Sequence, residues 1–199
     1  MKHILLSLAV VLTACRLTAA EFPGFDSDIN ADLWLKQNSK TYQKMASNLD
    51  ADGGYLLTKA TATENGNFYN AQGRRCIGIP ADQTGARRVC HLILHVANAT
   101  HESATKAVDA ELREGGIKNA DEFADRLFDT FYLAHAELYQ VLGELDAKLG
   151  RLPADALNYW GDRGAQTYRD LKMPSKAELK ATHQATLDHW RSWFAKQRK

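Results

Sequence analysis

Residues 120–149 place the strongest constraint on how this chain can fold. Phe123, Leu127, Phe131, Ala134, Leu138, Val141 and Leu145 recur at steps of three and four. Asn119 or Asp121 is placed to start a helix there, and Gly150 to stop it. Such a helix presents a broad apolar face that other elements must cover.

The rest of the chain supplies the cover. Ser27 or Asp28 can cap a helix to about Leu49, with Leu35, Tyr42, Met45 and Leu49 at helical spacing, before Asp52-Gly53-Gly54 stops it. From about Ala81 to Glu114, Val89, Ile93, Val96, Ala104, Ala107 and Val108 gather on one side, and Gly115-Gly116 ends the run. Pro153 suits the first turn of a segment reaching about Met173. Ser175-Lys176-Ala177-Glu178 is a capping-box pattern that opens a last helix carrying Leu179, Leu187, Trp190 and Phe194. Short connections between such helices predict an all-α fold, an antiparallel helical bundle of four to five helices. Residues 55–80 interrupt it as a small irregular or hairpin insertion, with Asn65-Gly66 as the turn signal.

The N-terminus specifies the compartment. Lys2 precedes an apolar run from Ile4 to Ala14, too short for the roughly 20 residues a membrane span needs but suited to a secretory signal. Two processing sites compete. Leu12-Thr13-Ala14-Cys15 fits a lipobox, making 1–14 a lipoprotein signal and Cys15 a lipidated N-terminus, whereas Thr18-Ala19-Ala20 fits an ordinary cleavage that makes 1–20 the signal peptide. Residues 21–199 then form a single helical domain. The expected location is periplasmic or outer-membrane-anchored, with a lipid anchor rather than a spanning segment holding the protein to the membrane. Once Cys15 is lipidated or removed, Cys76 and Cys90 remain as an even pair in an oxidising compartment. A disulfide between them would close a loop of about 15 residues.

Charge excludes one class of partner. Lys and Arg number 25 against 24 Asp and Glu, which leaves no basic footprint for nucleic acid.

Several residues could carry chemistry. His91 and His95 stand four apart with Glu102 near the same helix line, a spacing that can hold a transition metal, although the line lies opposite the apolar side and also reads as a solvated face. His135 and His183 lie on or beside apolar stripes, so packed helices could bring the two imidazoles together as a metal or haem site. His101-Glu102 begins like the zinc-protease helix motif, but Thr105 stands where the second His is required. Asn48 to Gly53 resembles the opening of a calcium loop, until Lys59 takes the place of the bidentate Glu. Tyr159, Trp160 and Tyr168 form an aromatic stripe, which reads as a recognition patch or as core. No serine elbow, phosphate loop or dinucleotide fingerprint occurs.

The resulting expectation is a non-enzymatic envelope protein that binds a protein partner, as an accessory or an inhibitor- or immunity-type module. The first alternative is a metal- or haem-binding bundle; the second is an exported hydrolase or toxin with a histidine base. A docking module should expose an apolar patch. A metal protein should bring histidines to one point, and a hydrolase should set a histidine in a polar cleft.

Overall fold

The computed structural model describes residues 27–60, 66–83, 85–159 and 165–197. The expected signal segment with Cys15, and Trp160 of the aromatic stripe, lie outside the described residues. Within them the chain is mostly helical, with eight helices and one small three-stranded sheet.

The predicted first helix is two. α1 (Asp28–Asn38) is capped by Ser27, and α2 (Lys40–Ala51) by Ser39, which sits between them in an extended conformation. Ser39 accepts from the Tyr42 amide at 3.0 Å and donates its hydroxyl to Glu144 at 2.6 Å. Thr41 adds a 2.6 Å bond from its hydroxyl and a 3.1 Å bond from its amide to the same carboxylate. Glu144 thus places negative charge at the positive end of α2. α2 stops where the Gly54 amide reaches back to the Leu49 carbonyl at 2.8 Å. Asp52, in the stretch that opens like a calcium loop, pairs with Arg75 at 2.7 Å.

The insertion contains strands, but not the predicted hairpin. β1 (Leu56–Ala60) runs parallel to β3 (Arg75–Pro80), and β2 (Gly66–Tyr69) lies antiparallel on the other edge of β3. The tight turn is therefore the one between β2 and β3. Asn70 makes it, its side chain accepting from the amides of Gln72 and Arg74 at 3.1 and 2.9 Å, with Gly73 at φ +71°.

α3 (Gly85–Thr100) and α4 (Glu102–Arg113) are separated at His101, where one continuous helix was predicted. α5 (Ala120–Leu149) matches its predicted span, capped by Asn119 and ended by Gly150 in the left-handed conformation. Of the helix predicted to reach Met173, the described residues hold one turn, α6 (Ala154–Leu157). α7 (Lys176–Thr182) has the capping box, and His183 divides it from α8 (Gln184–Gln197).

α5 is the spine. From Ala134 onward it is buried in the main core with α1, α2, α3, α6 and the inward residues Ile77 and Ile79 of β3. Its first half packs in two smaller clusters with the end of α4, with α7 and with α8, through Phe123, Leu127, Ala124 and Phe128. Between these regions, on α5, lie Thr130 and Phe131.

The expected Cys76–Cys90 bridge is not formed: both residues are buried free thiols. Strand alternation explains the separation. Ile77 and Ile79 enter the core beside Cys90, whereas Cys76 is one residue out of phase and its thiol turns to the Arg74 carbonyl at 3.6 Å. Burial pushes the Cys90 thiol up to about 12, which leaves it protonated and unreactive.

Candidate functional site

At the middle of α5, where the core divides, the surface opens into a cleft of about 670 Å³. One wall is the sheet edge, with Gly66, Asn67 and Tyr69 of β2 and Arg75 of β3. The α3–α4 junction contributes His95, Asn98, His101, Glu102 and Thr105. Thr130 and Phe131 form part of the floor, and His189 and Trp190 of α8 close the far side.

The break at His101 is what aims the polar groups. His101 ends α3 and precedes α4, but its side chain makes no capping bond. Its Nε2 lies 3.2 Å from Oε2 of Glu137, which stands behind it on α5. Thr100 also donates to that oxygen, at 3.4 Å. A cleft-facing imidazole backed by a carboxylate has its orientation set from behind. Among the described residues no nucleophile is assembled beside it: Thr105 and Thr130 meet each other at 3.4 Å, and Thr105 also donates to the His101 carbonyl.

The rim is fixed by ion pairs. Glu102 accepts from the Tyr69 hydroxyl at 2.7 Å, from Arg75 at 2.8 Å and from Lys106 at 2.8 Å. Burial alone would raise this carboxyl, but the bonds from Lys106, Tyr69 and Arg75 outweigh it and hold it down at about 2. Arg75 in turn ties β3 to Asp52 at the end of α2. Glu102 is therefore committed to the frame and is not a third ligand for the His91/His95 pair.

His91 and His95 are not the solvated face that their spacing also suggested. Both are partly buried, with ring centres 5.8 Å apart, and Tyr159 meets His91 edge-on at 5.2 Å. Desolvation lowers both, His95 to about 4 with help from His91, so both are neutral near pH 7. The Cε1–Nδ1 edge of His95 faces Gly66, where a Cβ would come within 3.6 Å.

Comparisons with known proteins come back empty. No family model, no curated protein and no solved structure matches this chain.

The structure brings the inward histidines together. His135 on α5 is fully buried, and its ring centre lies 5.7 Å from that of His183, edge to face. Phe131 packs against both, at 4.2 and 5.1 Å. Phe131 therefore crowds both imidazoles. Among the described residues no group of three or more His, Cys, Asp or Glu converges on one point.

Tyr159 and Tyr168 belong to the core rather than to an open patch. Both pack on the main cluster, and the Tyr168 hydroxyl donates to the Tyr139 carbonyl at 3.0 Å. The exposed large aliphatics among the described residues are Ile29 and Leu33 on α1 and Leu133 on α5, which form no broad patch.

Sequence reasoning had considered His101 only against the zinc motif, and had not singled out Tyr69, Arg75, Thr130, Glu137 or His189. These residues come from separate elements, and no spacing in the chain links them. The one local signal was Thr100-His101-Glu102, a polar interruption of an otherwise apolar helical run.

Proposed function

We propose that this is an exported cell-envelope protein, without catalytic activity of its own, that binds an extended segment of a protein partner in the cleft beside β2. The observation that carries the reading is the outer edge of that strand, which no other strand pairs among the described residues. β2 is the outer strand of the sheet, hydrogen-bonded to β3 along one side, and Gly66, Asn67 and Tyr69 line the cleft. A peptide added to such an edge gains main-chain hydrogen bonds, while pockets for alternate side chains give selectivity. Here Tyr69 and Trp190 supply aromatic contact, and Asn98, His101, Thr105 and Thr130 supply polar contact. The volume suits a ligand of that size. We take α2, α3, α5 and α8 as the bundle frame that holds the sheet edge open.

The location rests on the signal pattern, with Cys15 as the lipidated residue. Replacing Cys15 by Ser then releases the protein from membranes; unchanged fractionation excludes lipidation. For the cleft, peptides selected on the immobilised mature protein are followed by amide hydrogen exchange. Slowed exchange in β2, lost in Trp190→Ala, is the expected result. Protection confined to α1 or to the outer edge of β1 rejects the reading.

One observation favours a second reading. The His101–Glu137 pair is the arrangement of a general base and its orienting group, so hydrolysis by water activated at His101 is the alternative. Turnover of an ester or peptide substrate that disappears in His101→Ala would establish it.

A further inference from the structure

We propose that the outer face of α1 rests on an anionic phospholipid bilayer, with Ile29 and Leu33 set among the headgroups and lysines beside them meeting the phosphates. The proposal rests on the lipidation of Cys15 and concerns a surface separate from the cleft.

α1 buries Ala31, Asp32 and Leu35 and turns Ile29, Leu33 and Gln37 outward at steps of four, a row about 12 Å long. Ile29 is 60% exposed and Leu33 52%, two of the four large hydrophobic residues left exposed among the described residues. Cations flank the row at both ends. Lys59 of β1 shares a surface hollow with Ile29, and Lys36, Lys40 and Lys148 share another with Gln37. Lys40, Lys59 and Lys148 are exposed and, among the described residues, stand outside every ion pair. The nearby carboxylates are already engaged, Asp28 by Arg88, Asp32 by Lys36, and Glu144 by Ser39 and Thr41. An apolar row edged by unpaired lysines is the surface that an interfacial helix presents to anionic lipid.

The anchor brings this face to the bilayer. Twelve residues separate Cys15 from Ser27, the cap of α1, a reach of at most about 43 Å. Two apolar side chains are too few to hold a protein on a membrane, but acyl chains on Cys15 set a high local concentration, so a weak contact suffices. The contact also sets the orientation. α1 packs on β1, and β1 and β2 are opposite edges of the sheet. With α1 on the lipid, the β2 edge and its cleft turn away from the bilayer, open to a partner segment.

The test uses the full-length protein purified from the envelope and reconstituted in phosphatidylethanolamine–phosphatidylglycerol vesicles. A fluorescent amino acid is placed at position 33 or, in a second sample, at position 67. Nitroxide-labelled lipid is expected to quench the probe at 33 and to spare the one at 67. Replacing Lys40, Lys59 and Lys148 together by Gln should weaken the contact about fivefold for each lysine and relieve the quenching. Exchanging phosphatidylglycerol for phosphatidylcholine should relieve it in the unmodified chain, which keeps the test decisive should the triple variant fail to fold. No quenching at 33 in acylated protein, or quenching at 67 as strong as at 33, overturns the proposal while the anchor stands. So does quenching at 33 that neither the lysine replacements nor the lipid exchange relieves. An intact mass without acyl groups rejects the lipidation reading instead, and the proposal falls with it.

Discussion

Asp32 illustrates how single residues stiffen this fold. Its carboxylate is buried and accepts from Tyr42 at 2.7 Å, Tyr55 at 2.5 Å and Lys36 at 2.9 Å. Removing it strands buried donors rather than merely deleting a bond. Asp32→Ala is expected to cost about 3 kcal/mol in urea unfolding, whereas Tyr55→Phe, which leaves the carboxylate two partners, costs about 1 kcal/mol. The histidines make a second prediction at this scale. His95 and His135 are depressed in the folded state to about 4, so the unfolded chain takes up protons first as pH falls. Their contribution is complete above the ordinary value of 6.5 and is lost between 6.5 and about 4. Glu102 acts in a lower window, its contribution lost as pH falls from 4.5 through about 2. The urea midpoint should therefore drop between pH 7 and 4.5, and less steeply in His135→Gln.

Among the elements, the close approach of α5 to the segment after α6 gives a test in which two effects oppose. A Cβ at Gly143 would lie 2.5 Å from the Tyr168 hydroxyl. Helix propensity favours Gly143→Ala by about 1 kcal/mol, but the methyl displaces Tyr168 and breaks its bond to the Tyr139 carbonyl. The substitution should destabilise the protein alone and stabilise it in a Tyr168→Ala background, as read by paired thermal unfolding. This is also the scale at which the sequence was most legible. α5 was read nearly to the residue because its apolar period runs unbroken between Asn119 and Gly150. The breaks at Ser39, His101 and His183 were not read: helical spacing resumes on both sides of each, and tertiary partners such as Glu144 and Glu137 engage the first two. The sheet was misread because Asn65-Gly66 drew attention from the Asn70–Gly73 turn, and because strand order depends on pairing that no local signal encodes. His135 and His183 were legible as inward residues from their stripes. The cleft was not, since its walls come from the sheet edge, the α3–α4 junction, α5 and α8.

For the whole molecule, one design links these features. α5 joins a main core to two smaller clusters, and the cleft opens where they part, with the outer edge of β2 along one wall. The central claim is that this edge is where a partner segment lies. The most direct measurement places a photo-reactive amino acid at Asn67, exposed on β2, and at Leu133, exposed on α5, in the full-length protein expressed in a bacterial cell envelope. The account predicts a discrete protein adduct from position 67, lost when Trp190 is replaced by Ala, and none from position 133. Adducts from 133 alone, or from 67 regardless of Trp190, would contradict it.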